Sequence, residues 1–210
     1  AGPHYGEEPP LVGRRGSGTV FLTSCNLKCL FCQNYDISHL RYGRQISPSQ
    51  LAEIMLGLQR GGCHNINFVT PTHMTAQIIE AMVIAVDRGL SIPLVYNCGG
   101  YESVQTLKLL EDIVDIYMPD IKYSENDIAR RYSGAPRYWD VVRPALAEMH
   151  RQVGDLVVDD SGIARRGLLI RHLVLPNRLA GSKAVLEFVA RHLSAYSYVN
   201  IMDQYRPAYR

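Results

Sequence analysis

Apolar and polar positions alternate between two periods along the chain. Residues 18–24, 65–70, 92–96, 115–120, 168–175 and 198–202 are short runs rich in β-branched, aromatic and aliphatic side chains, and each reads as a strand. Between them apolar residues recur every three or four positions, as in Leu51, Ile54, Met55 and Leu58. The same helical spacing appears in Ile78, Ile79, Met82, Val83 and Val86, in Trp139, Val142, Leu146 and Met149, and in Val185, Leu186, Val189 and Leu193. A further helix spans 103 to about 111. Ser47, Pro48 and Gln50 form a helix start, with Ser47 as N-cap, proline at the first helical position and Gln50 closing a capping box. Gly61-Gly62 and Gly89 stop the first two helices, and Pro119 marks the end of a strand. Asp159-Asp160-Ser161-Gly162 is a turn joining 156–158 to the long run at 168–175.

Strands separated by helices predict βα units, a parallel sheet and right-handed crossovers. An open doubly wound sheet and a barrel or partial barrel both satisfy the pattern. No glycine-rich dinucleotide fingerprint follows the first strand, which removes the main support for a Rossmann sheet. In either architecture, function belongs at the carboxyl ends of the strands. Those ends carry Cys25 onward, Thr70-Pro71-Thr72-His73, Asn97-Cys98-Gly99-Gly100, Asp120-Ile121-Lys122, Pro176-Asn177 and Asp203-Gln204-Tyr205.

Composition narrows the classes. The 210 residues carry 22 Lys and Arg against 20 Asp and Glu, so charge gives no case for nucleic acid or an anionic membrane as partner. With 47% hydrophobic and 20% charged residues the chain has the makings of a folded core. No apolar run approaches the roughly 20 residues of a membrane helix, and Ala1-Gly2-Pro3-His4 lacks a signal-peptide pattern. The expectation is a soluble, cytoplasmic protein. A chain without an initial Met that stops just past a strand-like stretch is expected to be cut at both ends. Residues 1–17 read as an N-terminal extension and 18–210 as the core domain.

The cysteines carry the chemistry. Cys25, Cys29 and Cys32 fall on one short loop after the first strand, whereas Cys63 and Cys98 stand alone. An odd number of cysteines without a secretory signal argues against a disulfide framework. Thiolates are natural ligands of zinc and iron–sulfur clusters. A structural zinc site closes with four ligands, commonly two separated pairs, and Cys63, Cys98, His39 and His73 do not supply finger-like spacing.

The C-x3-C-x2-C spacing of Cys25, Cys29 and Cys32, with Phe31 before the last cysteine, resembles the radical S-adenosylmethionine (SAM) superfamily. Within it, the chain looks most like relatives of the pyruvate formate-lyase activating enzyme, from Gly16 to about Tyr205. The resemblance implies a partial (β/α)6 TIM-like barrel of parallel strands in the α/β class. It implies a [4Fe–4S] cluster on the three cysteines, with SAM chelated at the open iron and reductively cleaved for hydrogen abstraction. It also implies Phe31 against adenine, the Thr70-Pro71-Thr72-His73 turn near the SAM amino group, and Lys122 at the SAM carboxylate with Asp120 beside it. That turn stands where the family has Gly-Gly-Glu, so the family's carboxylate is missing there. Asn97, Arg171 and Gln204 complete the expected cofactor contacts. Arg171 and His172 are adjacent in a strand and must face opposite ways. The partners implied are a glycyl-radical protein as substrate and a low-potential donor such as flavodoxin or ferredoxin. Two other readings fit parts of the pattern: a zinc or inert iron–sulfur module, and a barrel aldolase using Lys122 as a Schiff-base lysine.

Overall fold

A computed structural model describes residues 1–209. The chain runs β1 (Gly2–His4), α1 (Pro9–Val12), β2 (Ser17–Phe21), α2 (Tyr35–Ser38), α3 (Pro48–Arg60), β3 (Ile66–Val69), α4 (Thr75–Asp87), β4 (Leu94–Cys98), α5 (Val104–Lys108) and β5 (Ile116–Pro119). It continues α6 (Asn126–Ser133), α7 (Tyr138–Val153), β6 (Val157–Val158), β7 (Ala164–Leu173), α8 (Ser182–His192) and β8 (Tyr198–Met202). The strand order is β1-β2-β3-β4-β5-β7-β6, with β8 on the other side of β7. The β2-β3-β4-β5-β7-β8 run is parallel throughout, while β1 and β6 join antiparallel. The fold is α/β, a mostly parallel sheet of the partial TIM-like kind. The sheet is not closed: β2 and β8 do not pair.

Alternation along each strand separates two apolar layers. On the outer face Ile66, Phe68, Tyr96, Tyr117, Leu168 and Ile170 pack against the helices in the main core. On the inner face Val95, Ile116, Met118, Ala164 and Leu169 form a second cluster around Leu11, which is fully buried. Leu11 comes from α1, in the segment 1–17, and the Asn65 side-chain amide donates to its carbonyl at 2.8 Å. Glu8, in the same segment, accepts from Asn200 on β8 at 2.8 Å on both oxygens. With β1 paired to β2 and Glu8 tied to β8, residues 1–12 span the gap between β2 and β8.

Local signals account for most of the remaining elements. The Ser47–Gln50 capping box forms as expected, with Ser47 Oγ accepting from the Gln50 amide and Gln50 Oε1 from the Ser47 amide. Three strands shift from expectation: β2 ends at Phe21 rather than 24, β4 runs two residues later than 92–96, and β7 begins at Ala164 rather than 168. Asp159 Oδ1 accepts from the amides of Ser161 and Ile163, which fixes the turn and launches β7 earlier than the apolar run suggests. Helix α6 was not legible in the sequence. It is capped at its C-terminus by Gly134 in the left-handed conformation (φ 60°) and sets its last residues against the cysteine loop.

Candidate active site

The cysteine loop leaves β2 through Ser24, which holds a left-handed φ of 73°. For a residue with a side chain this conformation is strained and marks a constrained turn. Two backbone bonds anchor the loop to the end of α6, from Lys28 N to Ser133 O at 2.7 Å and from Leu30 N to Tyr132 O at 2.9 Å. Each thiol has a polar neighbour. Leu27 N donates to Cys25 Sγ at 3.3 Å, Ser133 Oγ donates to Cys29 Sγ at 3.0 Å, and Cys32 Sγ lies 3.1 Å from Ser38 Oγ. Burial pushes the Cys25 thiol up to about 11 and raises Cys29 as well. Burial thus favours the protonated form of Cys25 and Cys29, and ligation of these two releases protons.

All three sulfurs line one cleft of about 430 Å³ at the carboxyl ends of the strands. The donor set fits an iron–sulfur cluster: thiol ligands only, on one loop, with N–H and O–H groups beside the sulfurs. Among the described residues no group of three or more His, Cys, Asp and Glu is arranged to hold a single metal ion.

Opposite the loop stands a row of alternating charges. Lys122 Nζ lies 3.0 Å from Asp120 Oδ2, and Arg171 Nε lies 2.7 Å from Asp120 Oδ1. The other arms of the guanidinium reach Asn97 Oδ1 at 3.0 Å and Glu7 Oε2 at 3.1 Å. Burial raises the Asp120 carboxyl, but the adjacent Arg171 and Lys122 cations outweigh it and hold the group at about 2. Burial alone would lower Lys122, yet the Asp120 carboxylate beside it keeps its ammonium protonated well above the ordinary range. A Schiff-base lysine has to be a neutral amine near pH 7, so this environment opposes the aldolase reading. Tyr138 braces the row. Its hydroxyl accepts from the Lys122 amide at 3.0 Å and lies 2.9 Å from Gly99 O and 3.1 Å from Asp120 O.

The cleft wall also contains Phe31, Thr70, Asn97 and Gln204. Phe31 meets Tyr123 and Tyr205 edge-on. Strand alternation sends Arg171 into the cleft and His172 away, where its ring contacts Ile121 O and Ser182 Oγ. Cys98 also reaches the wall, while Cys63 is buried elsewhere, under the start of β2. The structure does not bring Pro71, Thr72 and His73 to the wall. Thr70 has a left-handed φ of 61°, and the turn after it leads away from the cleft. Thr72 Oγ1 then donates to Glu102 at 2.6 Å, and exposed His73 places Nε2 2.6 Å from Thr23 O.

Two carboxylates escaped the sequence reading. Glu102 is buried behind β4, accepts from Thr72 and Tyr96, and burial pushes it up to about 7. It lies off the cleft wall and ties the 70–73 turn to the next loop; the Gly99-Gly100-Tyr101-Glu102 run was the available signal. Glu7 has a side chain only 7% exposed and comes from the segment read as an extension. Nothing local distinguishes it.

A family model described as the radical SAM superfamily matches residues 19–159. The uncharacterized protein MJ0674 of Methanocaldococcus jannaschii is 33% identical over 217 residues, covering 99% of this chain and 58% of its own length. The chain therefore spans little more than half of that relative. Among solved structures it superposes on anSMEcpe with bound AdoMet and Cp18Cys peptide with a TM-score of 0.55 at 12% identity, covering 88% of this chain and 50% of that one. Methylornithine synthase (PylB) gives 0.55 at 15% identity over 90% and 53% of the two chains. SuiB of Streptococcus suis gives 0.56 at 11% identity over 88% and 42%. At such identities these structures speak for the fold, and the matched family model speaks for descent. The chain belongs to the radical SAM superfamily.

Proposed function

We propose that this chain is the catalytic core of an enzyme that reductively cleaves SAM for hydrogen abstraction. The observation that carries the reading is that three thiols and the Lys122–Asp120 pair line one cleft. Cys25, Cys29 and Cys32 would hold a [4Fe–4S] cluster, which would supply the electron needed to cleave the sulfonium C–S bond of SAM. The chain's own residues bind and orient. Lys122 offers a permanently charged ammonium to the methionine carboxylate, and Asp120 offsets that charge while the cleft is empty. Phe31 and Gln204 present an aromatic edge and an amide at the end of the cleft suited to a nucleoside. Walls made by Leu27, Val69, Leu173 and Met202 exclude water from a reactive radical.

For the hydrogen donor we propose a glycine in a partner protein, on the resemblance of Asp120-Ile121-Lys122 to the Asp-x-Lys element of activating enzymes. A low-potential donor such as flavodoxin or ferredoxin would deliver the electron. Anaerobic reconstitution tests the core reading: a brown protein that forms 5′-deoxyadenosine from SAM under reduction is expected, and a colourless protein carrying one zinc refutes it. Transfer of deuterium from labelled proteins or labelled small metabolites into 5′-deoxyadenosine decides the acceptor.

A further inference from the structure

Residues 4–8 lie outside the cysteine loop, outside the strand-end elements and outside the span matched by the family model. Even so, His4, Gly6 and Glu7 wall the cleft. The Glu7 side chain is more buried than any other charged group in the row it joins, at 7% exposure against 16% for Arg171, 18% for Lys122 and 23% for Asp120. A buried carboxylate in a segment that also bridges the sheet edges calls for a reason beyond anchoring, because Glu8 and Asn200 already tie that segment down.

The guanidinium geometry supplies the reason. An arginine fork has two parallel N–H directions and favours binding both oxygens of one carboxylate. Arg171 does not do this with Asp120. It gives Asp120 Nε only, at 2.7 Å, and sends Nη1 to Glu7 and Nη2 to Asn97. Asp120 Oδ2 is thereby left to Lys122 at 3.0 Å. We propose that Glu7 is a positioning residue of the cleft: it draws one arm of Arg171 aside and keeps Lys122 paired and aimed. The inference rests on Lys122 as the SAM carboxylate contact. Without Glu7, two buried cations face one carboxylate, and Arg171 loses the acceptor for Nη1. A buried charge stripped of its partner is strongly unfavourable, so the fork turns onto Asp120 with both arms and dislodges Lys122.

The test measures SAM binding by calorimetry on anaerobically reconstituted protein. Glu7→Gln, of equal size and without charge, is expected to weaken SAM at least about tenfold, a conservative figure for an uncompensated buried charge. Glu7→Asp keeps the charge and recovers part of the loss. In Glu7→Gln/Arg171→Gln the cation set loose is gone, and binding is at least as tight as in Glu7→Gln alone. Asn65→Ala breaks the tie from the Asn65 amide to the Leu11 carbonyl, in the same segment but away from Arg171, so it lowers stability and leaves SAM affinity unchanged. Glu7→Gln binding SAM within about twofold of wild type overturns the proposal, as does an equal loss in Asn65→Ala. Should Glu7→Gln fail to fold, Glu7→Asp and the double variant carry the same decision. Urea unfolding of the cluster-free protein reads the contact without SAM: Glu7→Gln and Arg171→Gln must be non-additive, and additivity overturns the proposal. A wild-type protein that binds no SAM would instead fail the functional reading, and the unfolding cycle would still decide the contact.

Discussion

The cysteine loop and the N-terminal segment meet in the same cleft but are built by opposite means. The loop is local chemistry: three sulfurs on one short stretch, each with a polar partner, braced by the end of α6. The segment is long-range architecture. Glu7 reaches a partner 164 residues away and Glu8 one 192 residues away, while Leu11 fills the inner core. The difference teaches that a reactive site and the frame that sizes it can be specified independently. The thiols would be recognisable in any fold, whereas Glu7 means something only once β7 lies beside it.

The comparison breaks most sharply at the thiols. Cys25→Ala, Cys29→Ala or Cys32→Ala is expected to abolish cluster uptake and 5′-deoxyadenosine formation, whereas Cys63→Ala retains both; iron content and visible absorbance check it. Next, Lys122→Ala should weaken SAM binding by at least about tenfold, since it removes one partner of a buried charge contact, with the cluster still assembled. On the frame side, Leu11→Ala should cost about 2–5 kcal/mol in urea unfolding, as for a fully buried leucine. A cost near zero would reduce the segment to an appendage.

Two smaller effects concern the turn between these regions. Burial raises the Glu102 carboxyl from 4.5 to about 7. Its favourable contribution is complete below its ordinary value and is lost as pH rises through about 7. Glu102→Gln should therefore flatten that decline in urea-unfolding midpoints, and an unchanged pH profile would count against a buried, proton-holding carboxyl. Thr70→Gly exchanges a strained left-handed threonine for a residue free to adopt it, against added freedom when unfolded. The expected change is a gain below about 1 kcal/mol, and a clear loss would show that the Thr70 side chain holds the wall.

The legibility of the sequence follows the range of the interactions. Six parallel strands were visible because buried strands select β-branched and aromatic runs locally, and the Ser47–Gln50 cap is complete within four residues. Strand β1 and helix α1 are three and four residues long, too short for any periodicity, and α6 is too polar to show an apolar stripe. At the site, Asp120, Lys122 and Arg171 stood out because they sit at or near strand ends. Of the 70–73 turn only Thr70 reaches the cleft wall, and the three residues after its left-handed φ do not, a bend that residue type alone does not announce. Glu7 and Glu102 were silent, since a carboxylate acquires its role from neighbours brought by the fold.

The missing pairing between β2 and β8 carries a last consequence. A closed barrel fixes its own bore through a complete ring of backbone bonds. Here the ring is completed by a side-chain tether, Glu8 to Asn200, and by one short antiparallel strand. The width of the cleft is thus held at this point by two side chains and three residues of strand rather than by a closed ladder.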